Sequence, residues 1–298
     1  MPDSARRPSV TRLDDRLGLA VCRAGLSGRT LVTYARDHVT VRTPSAPDLL
    51  AANTIDLVAP PAAADLAGWV ARFHDTTGHL GARHVQLRWE EPLARDAPPA
   101  VPSEEPALAA AAQALGLELS ATTVLLAGHP PTVRAVDAEI AVLAPPAPSD
   151  PTGERRWHAA RVLHRYADGD DPVQWRGWDA GSAARTAELE RELAVAGRAE
   201  VWLAMRHGTP AGRATLAHDR QGLAAVQDVV VHPVHRRGGI ASALVGHAVR
   251  RHLAARPDGR VGAQVVPATP AEALFRGTGF VPHATVWAAR SVQPLGRG

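Results

Sequence analysis

Residues Asp228–Leu244 read DVVVHPVHRRGGIASAL, and their character changes halfway. Val229, Val230 and Val231 form a β-branched run, the composition of a strand buried on both faces. His232-Pro233 ends it, because proline has no N–H to give a ladder. Arg236, Arg237, Gly238 and Gly239 follow. From Ile240 the period is helical: Ile240, Leu244 and Ala248 share a face, with Val245, Val249 and Leu253 beside it. The stretch predicts strand, glycine-bearing turn, helix. The first turn of a helix carries unpaired N–H groups and the positive end of the macrodipole. Glycine lets an anion approach that backbone, and the two arginines add fixed positive charge. The chemistry predicted for this turn is a phosphate or pyrophosphate site.

Two common phosphate loops are excluded. A P-loop needs Gly-Lys-Ser/Thr, and the chain contains no lysine. A dinucleotide fingerprint needs G-x-G-x-x-G, which Gly238-Gly239-Ile240-Ala241 does not supply. What remains is Arg236-x-x-Gly239-x-Ala241 after a valine-rich strand ending in His-Pro. Downstream, Ala271, Leu274 and Gly279-Phe280 keep a matching frame. This combination resembles the coenzyme-A motif of the GCN5-related N-acetyltransferases (GNAT). The resemblance is specific over Ala199–Arg290 and extends to about Thr132.

The resemblance implies an acyl-CoA fold of α/β (α+β) class, with a mixed, mostly antiparallel central sheet flanked by helices. It implies acetyl-CoA as acyl donor substrate and direct transfer to a primary amine of a small molecule or peptide. The acetyl and pantetheine arm would lie along Val229, Val230 and Val231. The pyrophosphate would sit on the N–H groups of Arg237, Gly238, Gly239, Ile240, Ala241 and Ser242, with Arg236 beside them. Many relatives carry Glu-Asp at the start of the strand, where Gln227-Asp228 stands here. Asp228 is the remaining carboxylate, either a base acting through water or a structural group. The family's usual asparagine and tyrosine contacts on the donor are Ala268 and Phe275 here, and phenylalanine has no proton to give. An acceptor loop would carry Trp175, Trp178 and Asp179, able to hold an organic cation; tryptophans as core plugs are the plainer alternative. Three functions stay open: an N-acetyltransferase, a non-catalytic acyl-CoA-binding or regulatory module, and an acyltransferase using a longer acyl group.

At 298 residues and 45% hydrophobic, the chain has room for one large domain or two of about 150 residues. All 33 Lys+Arg are arginine, but the net charge is only +3 and the basic residues are scattered. No nucleic-acid partner is expected. Cys22 is the single cysteine, so no intramolecular disulfide forms. No uncharged apolar run reaches the roughly 18 residues of a membrane span, and no secretory signal is visible. A cytoplasmic monomer or homodimer is expected. No H-E-x-x-H or Cys/His spacing points to a metal, and there is no G-x-S-x-G elbow.

Along the chain, helix is predicted over 17–26, 62–74, 107–115, 155–166, 182–196, from 240 through Leu253, and over 270–276. Strands are predicted over 31–36, 38–42, 54–60, 84–89, 121–127, 132–143, 200–206, 212–217, 224–231, 260–266 and 283–289. Glu91–Pro106, Ala144–Gly153 and Asp168–Ala180 read as loops, and His207–Pro210 as a hairpin turn. A weak internal repeat relates Asp56–Pro60 plus a helix to Asp228–Pro233 plus a helix. It also relates Ala114–Leu117 to Gly277–Phe280. The expected organisation is a degenerate acetyltransferase-like domain at 1–130, where Pro61–Ala64 replaces the glycine turn, followed by the transferase domain at 131–298.

Overall fold

The computed structural model describes residues 16–291, except 27–29, 48, 83, 94–105, 147–148, 167–179 and 220–221. The first part contains α1 (Leu17–Arg23), β1 (Leu31–Tyr34), β2 (His38–Arg42), β3 (Thr54–Leu57), α2 (Leu66–Thr77) and β4 (Gln86–Pro92), then α3 (Pro106–Ala114) and β5 (Leu117–Ala127). The second contains β6 (Glu139–Leu143), α4 (Pro151–Leu163), α5 (Ala180–Val195), β7 (Ala199–Arg206), β8 (Thr209–His218) and β9 (Leu223–Val231). It closes with α6 (Ile240–Ala255), β10 (Arg260–Val265), α7 (Pro270–Gly277) and β11 (Val281–Ser291).

Among the described residues, eleven strands join one sheet in the order β1-β2-β3-β4-β11-β5-β10-β9-β8-β7-β6. Only β3–β4 and β9–β10 run parallel. The sheet is therefore mixed and mostly antiparallel with helices on its faces, the fold class expected. The course β3-α2-β4-α3-β5 is repeated by β9-α6-β10-α7-β11. The last strand of each course has left its own penultimate strand. β5 lies between β10 and β11, and β11 lies between β4 and β5. The long β5–β11 ladder, with Val286 opposite Thr122, sits at the middle of the sheet and joins the two courses.

Register assigns the faces. Gln227 pairs with Thr215 across β8–β9, so both point the same way. Thr215 bonds Glu190 of α5, and a Cβ on Gly25, just after α1, would meet Gln227. α1 and α5 thus cover one face. α6 and Phe275 of α7 pack on the other, against Ala214, Leu216, Ala224, Val226, Val261 and Ala263. α1 lies close because Gly262 of β10 has no side chain: a Cβ there would stand 2.2 Å from Val21 Cγ2. Among the described residues no helix is long and apolar enough to cross a membrane.

Several local expectations are corrected. Only Glu139–Leu143 of the expected strand at 132–143 pairs, with Met205–Val201 of β7; residues 131–136 carry no regular structure, and Val136 lies against Gly239. The expected loop at Ala144–Gly153 ends early, because Asp150 caps α4. Its Oδ1 accepts from the N–H groups of Thr152 at 3.1 Å and Gly153 at 2.9 Å, with Pro151 in the first helical position. The turn expected over His207–Pro210 narrows to His207-Gly208, both with positive φ, and β8 starts at Thr209. β5 begins at Leu117, four residues before the stretch read as strand. The strand 229–231 is not buried on both faces: Val230 is buried, while Val229 and Val231 are half-buried beside a cavity.

Candidate functional site

The site begins at a defect in β9. Arg213 pairs with Val230 and Thr215 with Gln227. One residue of β8 thus faces two of β9, Asp228 and Val229, which is a β-bulge. Asp228 takes φ 51°, a left-handed conformation that costs an L-residue about 1–2 kcal/mol and that aspartate tolerates better than most. The bulge turns β9 away from its parallel neighbour. Pairing with β10 closes only over Leu223–Ala225 and Arg260–Gly262. From Val226 to Val231 the main chain has no partner on β10, and the sheet opens into a cleft.

The turn that follows points backbone into that cleft. Arg237 has φ 63° and Gly239 φ 79°. Gly239 is the N-cap of α6 and supplies no capping side chain, so the first-turn N–H groups keep no side-chain acceptor. The helix behind them is firmly seated: Ile240, Leu244, Val245, Ala248 and Val249 are all buried against the sheet. Burying a valine, leucine or isoleucine side chain in this way contributes about 1.5–3 kcal/mol. Arg236 is partly a strut. Its Nε donates to the Val231 carbonyl at 3.2 Å and its Nη2 to the Tyr166 carbonyl at 2.9 Å. Tyr166 in turn meets His232 edge-on at 4.5 Å.

A cavity of about 760 Å³ fills the cleft. Asp228, Val229, Val230, Val231, Arg236, Arg237, Gly239, Ile240, Ala241, Ser242 and Phe275 all line it; Gly238 does not. Phe275 is buried and packs edge-to-face on Phe280 at 5.0 Å. Ala268 is exposed with φ 60°, and its N–H donates to Glu272 Oε2 at 2.7 Å. Thr269 Oγ1 accepts from the Glu272 N–H and caps α7. Trp175, Trp178 and Asp179 lie outside the described residues.

Beside Asp228 sits a polar cluster with no sequence signature. Arg213, fully buried on β8, bonds Glu190 of α5 and Thr215, and Thr215 bonds Glu190. Burial alone would raise the Glu190 carboxyl, but Arg213 outweighs it and holds it below its ordinary value. His164, on the turn after α4, has both ring nitrogens shielded and without partners. Burial, then Arg213, pushes its pKa down, so the ring is neutral near pH 7. Ligand-type atoms of His164, Glu190 and Asp228 lie within 4.8 Å of one another. A metal ion there would face the Arg213 guanidinium already neutralising Glu190, so the set fits a cation poorly.

The cavity also continues beneath α1, where Val21, Cys22, Gln86, Arg88, Ser120, Thr122 and Gln264 line it. Asp56 is buried there between Arg88, at 2.7 Å, and Arg23, at 2.8 Å. Burial would raise its carboxyl, yet Arg88 and then Arg23 hold it low. Burial pushes the Cys22 thiol up to about 11.

Comparison with known proteins places these features in a class. Residues 170–280 match the family model described as Acetyltransferase (GNAT) family. That match falls in the second half of the chain. A GCN5-related N-acetyltransferase from Kribbella flavida shares the fold at TM-score 0.58 and 15% identity, over 96% of each chain. A conserved protein of unknown function from Staphylococcus epidermidis does so at TM-score 0.62 and 13% identity, over 90% of this chain and 95% of that one. A GCN5-related N-acetyltransferase from Sphaerobacter thermophilus gives TM-score 0.50 at 16% identity, over 87% and 81%. No curated protein matches the chain in sequence.

Proposed function

We propose that this protein is an acetyl-CoA-dependent N-acetyltransferase of the cytoplasm, moving an acetyl group directly to a primary amine. One observation carries the reading: the bulge at Asp228, the opened β9–β10 cleft and the uncapped N-terminus of α6 line a single cavity. In this reading the unpaired main chain of Val229–Val231 bonds the pantetheine arm, and the N–H groups of Arg237–Ser242 receive the pyrophosphate. The amine nitrogen attacks the thioester carbonyl carbon, the C–S bond breaks, and coenzyme A leaves as thiolate. Asp228 takes the proton lost by the amine, and water supplies the one gained by the thiolate, since Phe275 has none to give. Residues 131–298 carry the transfer site and 1–130 form a degenerate copy without a glycine turn. A buried single cysteine suits a reducing compartment.

The test uses Gly239→Asp and Gly239→Asn. Both side chains are of one size and both tolerate positive φ, so their difference reads charge alone. Wild type should gain thermal stability with acetyl-CoA and release thiol with an amine panel. The asparagine variant should retain part of the shift and the aspartate variant none. Equal shifts in both variants would refute the pyrophosphate assignment. A shift without thiol release would favour a binding module over an enzyme.

A further inference from the structure

The cavity does not end at the cleft, and its extension under α1 has an unusual floor. Register puts Gln227, Gln264, Thr122, Ser120, Arg88 and Gln86 on one face of β9, β10, β5 and β4, with Ala288 of β11 between β5 and β4. Gln264 opposes Val124, Ala288 opposes both Ser120 and Arg88, and alternation does the rest. α1 covers this face, so apolar side chains are expected on it. Val124, Leu126, Ala225 and Val286 on this face keep that rule against α1, as Leu125, Val261, Ala263 and Val265 do in the core on the opposite face, whereas the polar residues named above break it. Polar groups on a covered face cost free energy unless something bonds them. Some of that bonding is internal: Thr122 Oγ1 donates to the Val286 carbonyl and accepts from Gln264 Nε2 at 2.6 Å. Gln86, nine-tenths buried, lines the cavity with its Oε1 unpartnered.

The geometry points to an acceptor chamber built by both halves of the chain, taking an amine carried on an uncharged body rich in hydroxyl or amide groups. This rests on the acetyltransferase reading above. Amides and hydroxyls each donate and accept, which suits such a body and offers little to a hydrocarbon. Arg88 and Arg23 are balanced by the buried carboxylates Asp56 and Glu90, so the far end offers a polycation no excess of negative charge. The reacting amine lies at the Asp228 end. From β9 to β4 the floor crosses four strand spacings, roughly 19 Å at about 4.8 Å each. The acceptor is accordingly elongated, and β4 and β5 of the first half read most of it.

The experiment measures thiol release by the full-length protein at saturating acetyl-CoA with glucosamine, phenethylamine and spermidine, in wild type, Gln86→Leu and Thr122→Val. Acetyl-CoA affinity is measured separately by calorimetry, and folding by thermal melts. Glucosamine should be preferred, and either variant should raise its KM about three- to tenfold, the worth of a lost hydrogen bond, with acetyl-CoA affinity held. Phenethylamine or spermidine turned over as well as glucosamine, no turnover of any amine, or an unmoved KM in both folded variants would overturn the chamber. Failure of acetyl-CoA to bind wild type would instead overturn the acetyltransferase reading. Should one variant fail to fold, the other carries the test.

Discussion

Replacing Gly262 with alanine tests how closely α1 is fitted to the sheet. The new Cβ would stand 2.2 Å from Val21 Cγ2 and 3.0 Å from Cγ1. Carbon atoms rest at about 3.5–4.0 Å, so α1 must retreat by more than about 1 Å. Overpacking of this kind costs about 1–3 kcal/mol. Part is offset by about 0.4–1 kcal/mol, because Gly262 has no positive φ and alanine restricts the unfolded chain. The net loss is about 1–2 kcal/mol. Val21→Ala removes two methyl groups from a side chain only 2% exposed, costing about 2 kcal/mol with its partial cavity. Independent effects would sum to about 3–4 kcal/mol. In the double variant the methyl added at position 262 enters the space that Val21 vacates, so the loss should stay at about 2 kcal/mol and the coupling should reach about 1–2 kcal/mol. Urea denaturation of the four proteins measures this cycle. Additivity within about 0.5 kcal/mol would show that α1 does not rest on Gly262 as described.

Three further outcomes are expected. Asp228→Asn keeps the left-handed backbone but removes the carboxylate, so kcat should fall about a hundredfold with acetyl-CoA affinity preserved; steady-state kinetics showing an unchanged kcat would make Asp228 structural. Burial, before any charge effect, lowers the pKa of His218 and His252 from 6.5. Their contribution to stability is complete above that value and declines as the pH falls below it, because the unfolded chain takes up protons first. Thermal midpoints should therefore drop between about pH 7 and pH 5, less steeply in His218→Gln, and a flat profile would contradict this. Residues 131–298 made alone lack the strand that separates β10 from β11. They should show no cooperative melt by circular dichroism, and a sharp transition would mean that the two strands can close directly.

The sequence was most legible where local chemistry acts alone. The valine run, the His-Pro stop, Gly239 and the helical period after Ile240 each act within a few residues, and the turn formed as read. The bulge at Asp228 was not legible, since its φ of 51° arises from pairing with β8 rather than from residue type. Nor was the exchange of β5 and β11. Leu117–Ala127 carries a strand's alternation whichever neighbours it takes, and register is decided by partners far along the chain. The polar chamber was hidden for a related reason: Ser120 and Thr122 look like the solvent side of an ordinary strand until α1 covers them. His164 and Glu190 sit on helical segments whose charged residues read as solvated surface. The prolines of Ala144–Gly153 favour a loop, although Asp150 before Pro151 is a helix-start signal in the sequence itself.

The place of β5 has a consequence for how this protein is born. Synthesis runs from the N-terminus, so Leu117–Ala127 exists well before either neighbour, Arg260–Val265 or Val281–Ser291, has been made. At about 5–20 residues per second the wait is roughly 10 to 30 s. Throughout it, an eleven-residue strand bearing Val124, Leu125 and Leu126 has both edges open. The first half cannot mature while the ribosome is still working on the second. β11 completes both halves together, so the nascent chain keeps open edges until Val281–Ser291 has been made, and its dependence on chaperones is set by the order of its strands.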